Sequence, residues 1–255
     1  MAAFPLMLPG TSRPPKLVVF DLDHTLIACD ATILWTEFLY EKKIVTDPIW
    51  RQYDRDMVKS YAKGVLDIRD FCRKHAGAFR SIPEEKLHAL AQEFAKKKIA
   101  PLIFPDGKKW AKNALQANIP ACVLSASAAF IVKPIAKLFG LTDAMGIELA
   151  FKDGFCTGEI VGIPTFQEGK VERLSERLAE AGIDFEDVLF FTDSRNDLPL
   201  AERAGYTVCV NPDAVLESAA RKNGWKVAEW KLSLRTQMTA QVDAKGCLLY
   251  TSDAA

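Results

Sequence analysis

Four short apolar runs constrain this chain more than anything else in it: 17–20 (LVVF), 121–124 (ACVL), 188–191 (VLFF) and 206–210 (YTVCV). They are continuous rather than alternating, the pattern of strands buried on both faces of a parallel sheet. Helical patterns separate them, at 105–118, 128–139, 168–181 and 197–204. The last three are each followed by a glycine, Gly140, Gly182 and Gly205, a common helix stop. The 168–181 pattern sets Val171, Leu174 and Leu178 on one face. Such alternation predicts an α/β fold with a doubly wound parallel sheet. Residues 28–105, between the first two strands, read as helices only: 33–44, 48–63, 66–79 and 83–99. Asp47 caps the second of these ahead of Pro48, and Glu84 and Glu85 put acids in the first turn of the fourth. An all-helical insertion in an α/β core predicts a cap over a site. Segment 146–164, with FKDGFCTGEIVG inside it, predicts a β-hairpin. The expected organisation is a core of 16–27 and 106–230 and a cap of 28–105.

The ends carry a different signal. Residues 1–15 hold Pro5, Pro9, Pro14 and Pro15 and no basic start, so a disordered leader or a start at Met7 is expected, not a signal peptide. Residues 247–255, CLLYTSDAA, read as the translation of a transposon-type sequencing adapter and are set aside. Residues 113–132 lack charge and match a membrane span in length. They hold Asn113, Gln116, Asn118 and Pro120, so a helix end, a strand and a loop is the better reading, with no transmembrane segment. Lys plus Arg and Asp plus Glu both number 33, so no basic nucleic-acid footprint is expected. Outside 247–255 the cysteines are 29, 72, 122, 156 and 209, scattered without metal-site spacing. They read as small buried hydrophobes in a reducing, cytoplasmic setting. Oligomeric state is not readable.

Three of the runs end in polar residues that a core strand would not choose. LVVF meets Asp21, with Asp23 and Thr25 behind it; ACVL meets Ser125; VLFF meets Thr192 and Asp193, then Asn196 and Asp197. In open α/β sheets ligands bind outside the carboxyl ends of the strands, so these groups gather at one edge. Four carboxylates there need a counter-charge, and a hard divalent cation such as Mg²⁺ suits carboxylates and retained water. One carboxylate of Asp21 and Asp23 can attack a phosphorus while the other reaches the leaving oxygen. General acid–base help contributes only ~10²–10⁴-fold. Phosphate monoesters need accelerations approaching ~10²¹, so metal and phosphate clamps are required. Ser125, with main-chain N–H groups at a helix start, offers a phosphate seat, and Lys170 offers a cation.

FDLDHTL (20–26), VLSAS (123–127), EGK (168–170) and TDSRNDLP (192–199) resemble, in order, the four motifs of the haloacid dehalogenase superfamily. The D-x-D-x-T pattern and the helical insertion resemble its subfamily IB, which includes phosphoserine phosphatases and histidinol-phosphatase-like proteins. The likeness spans roughly 16–230. It implies a Mg²⁺-dependent phosphatase of a small-molecule phosphomonoester working through an aspartyl-phosphate. It implies Asp21 as nucleophile, Asp23 as acid and base, and Ser125, the Ala126 main chain and Lys170 on phosphate. Mg²⁺ would be held by Asp21, the Asp23 carbonyl and Asp193. Asp197, Asn196 and Thr25 would support the site. A phosphotransferase or mutase, or a low-turnover regulatory protein, is the alternative.

Two departures are visible. Phosphoserine phosphatases typically carry Ser-Gly-Gly where this chain has Ser125-Ala126-Ser127. They carry a Glu nine residues past the nucleophile, where this chain has Asp30. Asp30 is a candidate reader of a substrate amine, and Arg69 a candidate partner of a substrate carboxylate. An EF-hand reading of DLDHTL fails, because Leu26 stands where glycine is needed and Thr32 where the bidentate Glu is needed. His75 and His88 read as cap-surface residues, 96–98 as a solvated lysine run, and Trp35, Phe38 and Leu39 as cap core.

Overall fold

A computed structural model describes residues 13–233. Most of the 1–15 leader and the whole 247–255 tail lie outside them. The chain enters through β1 (Leu17–Phe20) and leaves at once for the cap helices α1 (Ala31–Glu41), α2 (Ile49–Ala62), α3 (Ile68–His75) and α4 (Glu84–Phe94). It returns through α5 (Pro105–Gln116), β2 (Ala121–Ala128), α6 (Ala129–Ala136) and β3 (Asp143–Ile147). The hairpin β4 (Leu149–Lys152) and β5 (Phe155–Ile160) follows, then α7 (Glu168–Ala181) and β6 (Val188–Thr192). Helix α8 (Leu198–Ala201), β7 (Tyr206–Val210), α9 (Ala214–Asn223) and β8 (Lys226–Ala228) complete the core.

The large sheet runs β3-β2-β1-β6-β7-β8, and each pairing in it is parallel. Both faces are covered. Val18 and Phe20 of β1 join one apolar cluster with α5 and α6, while Leu17 and Val19 join another with Leu174 and Leu178 of α7. That is why these strands read as continuous apolar runs. The order reverses between β1 and β6, and both strands end at acids there, the crevice position for a ligand in a doubly wound sheet.

Several expectations shift. β2 does not stop at Leu124; it runs on to Ala128 with a register irregularity against β3, and α6 begins only at Ala129. Ser125 is therefore inside a strand and not at a helix start. Its hydroxyl accepts from Ser127 N at 3.0 Å, which holds that irregular stretch. Gly146 belongs to β3 rather than to the hairpin, because its backbone packs against the Ser127 carbonyl and Ala129. β3 and β8 escape the pattern because DAMGI and KVA are not apolar runs. The fourth cap helix gives way at Ala95 to a π turn over Ala95–Ile99 and then a 3₁₀ turn holding Pro101. Two of its lysines are paired as well as wet: Lys97 meets Glu93 at 2.8 Å and Lys98 meets Glu41 at 2.6 Å. Asp197 closes a 3₁₀ turn, Arg195–Asp197, ahead of the short α8.

The cap is anchored by aromatic packing. Trp35, Phe38 and Phe94 pack together, and Trp35 and Phe79 both meet Phe130 of α6 edge-on, at 5.6 and 5.5 Å. The hairpin joins the cap too: Glu84 N donates to Gly154 O at 2.8 Å. His75 is not a surface residue. It is 5% exposed, bonded to Thr36 Oγ1 at 2.9 Å and 3.5 Å from Asp54. α3 turns it inward beside Phe71 and Phe79, which one residue's identity does not reveal. Among the described residues the cysteines are buried and form no disulfide, and no helix is long and apolar enough to cross a membrane.

Candidate active site

The chain leaves β1 with Asp21 N donating to Phe191 O, so the first acid stands at the sheet edge beside the end of β6. Its carboxylate receives Lys170 Nζ at 2.8 Å. Lys170 is 1% exposed and also meets Asp197 at 2.7 Å. Thr192 Oγ1 donates to Asp197 at 2.7 Å, so that carboxylate is fixed from two sides. Lys170 sits in the first turn of α7 because the chain ahead of it folds tightly: a Cβ on Gly169 would lie 1.9 Å from the Pro164 carbonyl oxygen. Thr165 Oγ1 donates to Ser125 O, tying this loop to β2.

Asp193 completes the group. Thr25 Oγ1 donates to it at 3.3 Å, so Thr25 sits where expected. Burial, then Asp21 and Asp197, push the Asp193 carboxyl well above the usual carboxylate range. Burial also raises Asp21, against the pull of Lys170. Asp197 is pushed up to about 6 by burial, with Lys170 working against the rise. Burial disfavours the Lys170 charge, yet Asp197 and Asp21 hold its pKa above the ordinary value. Three carboxylates share one ammonium here. That leaves two negative charges at the sheet edge when all are ionised, a setting that fits a divalent cation.

Asp23 faces another way. Ala31 N donates to one oxygen at 2.6 Å, and Ser127 Oγ to the other at 2.8 Å, with Ser125 Oγ at 3.3 Å. Burial and then Asp30 raise its pKa to about 6. Its carboxylate is thus turned from a cation site, and only its carbonyl remains for one. Among the described residues no three His, Cys, Asp or Glu side chains form a metal-binding group. The donor set available is two carboxylates and a carbonyl, which leaves room for water, as Mg²⁺ prefers.

The remaining candidates divide. Ala126 lies half-buried between Ser125 and Ser127. Asn196 is buried, but its amide reaches Tyr61 O at 3.0 Å and Ser194 Oγ at 3.3 Å, not the carboxylates. Asp30 caps α1, accepting from Ile33 N at 3.0 Å. Arg69 is exposed and donates to Gly162 O at 3.4 Å, so it is not brought to the carboxylates. Ser127, Thr32, Tyr61 and Gln167 also stand around the site, beyond the residues to which the motifs give a role. Thr32 Oγ1 lies 3.0 Å from Ser127 Oγ, which links the cap to Asp23. Tyr61, at the end of α2, feels Asp197, Asp21 and Asp193, and burial holds its phenol well above the usual range. The alternation of β2 was a signal for Ser127, two residues from Ser125; for Tyr61 and Gln167 there was none.

The comparisons with known proteins agree. The family model of haloacid dehalogenase-like hydrolases matches residues 18–202. A histidinol-phosphatase of Neisseria meningitidis is 35% identical over 220 residues, covering 85% of this chain and 99% of that protein. A phosphoserine phosphatase of Mycobacterium tuberculosis is 27% identical over 239 residues, 90% of this chain and 77% of that one. A solved protein of unknown function from Bordetella pertussis superposes with TM-score 0.75 at 31% identity, covering 83% of this chain and 96% of the other. A phospho-aspartyl intermediate analogue of phosphoserine phosphatase shares the fold, with TM-score 0.63 at 22% identity over 89% and 99% of the two chains. The match over more than half of the chain, and the 35% relative covered almost end to end, show that the protein belongs to the haloacid dehalogenase-like hydrolases and is a phosphoric monoester hydrolase.

Proposed function

We propose that the protein hydrolyses a small-molecule phosphomonoester through an aspartyl-phosphate on Asp21, with Mg²⁺ as its cofactor. One observation carries this reading: buried Asp21 and half-buried Asp193 stand together at the sheet edge with the Lys170 ammonium, while Asp23 stands beside them with its own hydrogen-bonded carboxylate. The Asp21 carboxylate attacks phosphorus and the bond to the leaving alkoxide breaks. Asp23, with its pKa raised to about 6, gives that oxygen a proton. Asp23 then takes a proton from water, which attacks the phosphoryl group and returns Asp21 with inorganic phosphate. Lys170, Ser125 and the Ala126 main chain bind the phosphoryl oxygens, and Asp197 holds Lys170 in place. Thr25 and Asn196 support Asp193 and the cap. Mg²⁺, held by Asp21, Asp193 and the Asp23 carbonyl, would neutralise charge on the phosphoryl oxygens.

The substrate side is acidic. Asp30 lies close enough to Asp23 to raise its pKa, and this favours an amine-bearing alcohol phosphate. Relatives named histidinol-phosphatase and phosphoserine phosphatase support that class. Histidinol phosphate is the first substrate to try, because that relative is the more similar. Buried cysteines without disulfides suit a cytoplasmic location. The test is phosphate release in buffer alone, with Mg²⁺ and with EDTA, from histidinol phosphate and phosphoserine, beside Asp21→Asn. Release that needs Mg²⁺ and vanishes in the variant is expected. Release only when an acceptor alcohol is added would make the protein a phosphotransferase.

A further inference from the structure

Helix α2 is lightly seated beyond its first turn. Of its 14 residues only Asp54 and Met57 are buried, and it meets the apolar cluster that anchors α1 and α4 at its start, where Trp50 packs on Gly77. Its far end is held by polar groups from the core. Gln167 Nε2 donates to Gly64 O at 3.2 Å and to Asn196 Oδ1 at 3.1 Å, and Asn196 Nδ2 donates to Tyr61 O at 3.0 Å. The Tyr61 and Phe166 rings meet at 5.7 Å beside this junction. Gly64, at φ +71, turns its carbonyl toward Gln167.

Gln167 sits where a side chain is costly. Its backbone has φ 50 and ψ −124, a region that only glycine enters freely. Strain of this kind persists where the surroundings require it, and here the side chain bridges cap and core. Its position matters as well. Gln167 lies three residues before Lys170, and Asn196 directly precedes Asp197, the partner of Lys170.

We infer that Gln167 and Asn196 form a latch that holds the end of α2 shut over Lys170 and Asp197, with Gln167 as the positioning residue. Its catalytic consequence rests on the phosphatase reading above; the latch itself does not. Hydrogen-exchange mass spectrometry on the full chain tests it at residues 59–66, comparing wild type, Gln167→Gly and Gln167→Glu. Gln167→Gly removes the amide while relieving the strain, so its unfolding midpoint should hold or rise. Gln167→Glu keeps the shape but faces Gly64 O and Asn196 Oδ1 with an acceptor. In both variants exchange at 59–66 should speed up about five- to thirtyfold, the range for one or two lost contacts, while β1 and β6 stay protected. KM for p-nitrophenyl phosphate should rise several-fold more than kcat changes, because the closed form is less populated. Unchanged exchange at 59–66 in both variants overturns the latch, as does a rise spread evenly over the chain in both. Faster exchange with an unchanged KM overturns the positioning role. A wild type that releases no phosphate from any phosphomonoester overturns the proposed function, and the exchange data still decide the latch.

Discussion

Lys170 is the residue on which the site turns. It is 1% exposed, and it is the ammonium that meets Asp21 and Asp197 with Asp193 close by. Lys170→Met should cost about 3–5 kcal/mol in urea unfolding without metal, because it strands buried carboxylates. It should also lower kcat by at least about a hundredfold. Asp54 makes the opposite case. Burial, then Asp30 and Glu37, raise its pKa from 3.8 to about 7 despite the Thr36 hydroxyl. The folded chain therefore binds this proton more tightly than the unfolded one, and the stability from Asp54 falls as pH rises from about 4 to about 7. His75, lowered by burial from 6.5 to about 4, acts in the reverse sense, favouring folding as pH rises through 4 to 6.5. Asp54→Asn removes only the falling limb. The variant should be more stable than wild type at pH 8, by on the order of 2 kcal/mol, and show no gain at pH 4 in thermal unfolding. That Asp21 and Asp193 meet at one sheet edge was legible in the sequence because each directly follows a strand run, whereas Lys170 was legible through its place in EGK among the four motifs. The inward turn of His75 was not, because it depends on how three helices meet.

At the scale of elements, the parallel strands were legible where both faces are buried and illegible where they are not. β3 and β8 sit at the sheet edges with mixed burial, so LVVF announces a strand and DAMGI does not. The cap helices were legible by their spacing, but not the way they attach. α1, α4 and the Phe79 turn share one apolar cluster with β1, β2 and α6, centred near Phe130. Cap and core therefore have no separate interiors at this end. Phe130→Ala should cost about 3–5 kcal/mol through the cavity it leaves. It should lower the unfolding midpoint in calorimetry while keeping one transition. A second, cap-only transition would show that the two parts fold independently. α2 joins this cluster at its start, through Trp50, and not at its far end, which is why that end can open while the rest of the cap stays seated.

The whole molecule is electrically neutral, with 33 basic and 33 acidic residues, but its charge is not evenly placed. The crevice where the strand order reverses collects Asp21, Asp193 and Asp197 around Lys170, and Asp23 lies alongside. The fold brings them together from two halves of the chain, since β1 and β6 pair although a cap, a hairpin and two strands separate them in sequence. Taking these carboxylates out of water, and then their mutual repulsion, is a cost that folding carries, and both raise Asp21, Asp193 and Asp197. A divalent cation bound there offsets that cost in the folded state alone. Mg²⁺ should accordingly raise the thermal midpoint relative to EDTA, with about 2.7 kcal/mol of stabilisation at a hundred times its dissociation constant. The same concentrations of Na⁺ at matched ionic strength should not. Asp193→Asn supplies the control. Removing one of the crowded charges lowers the repulsion, so the variant should be no less stable than wild type in EDTA. It also removes a ligand, so its midpoint should no longer respond to Mg²⁺. A midpoint that rises equally with Mg²⁺ in wild type and in Asp193→Asn would place the cation elsewhere, and the charge of this crevice would then need another partner.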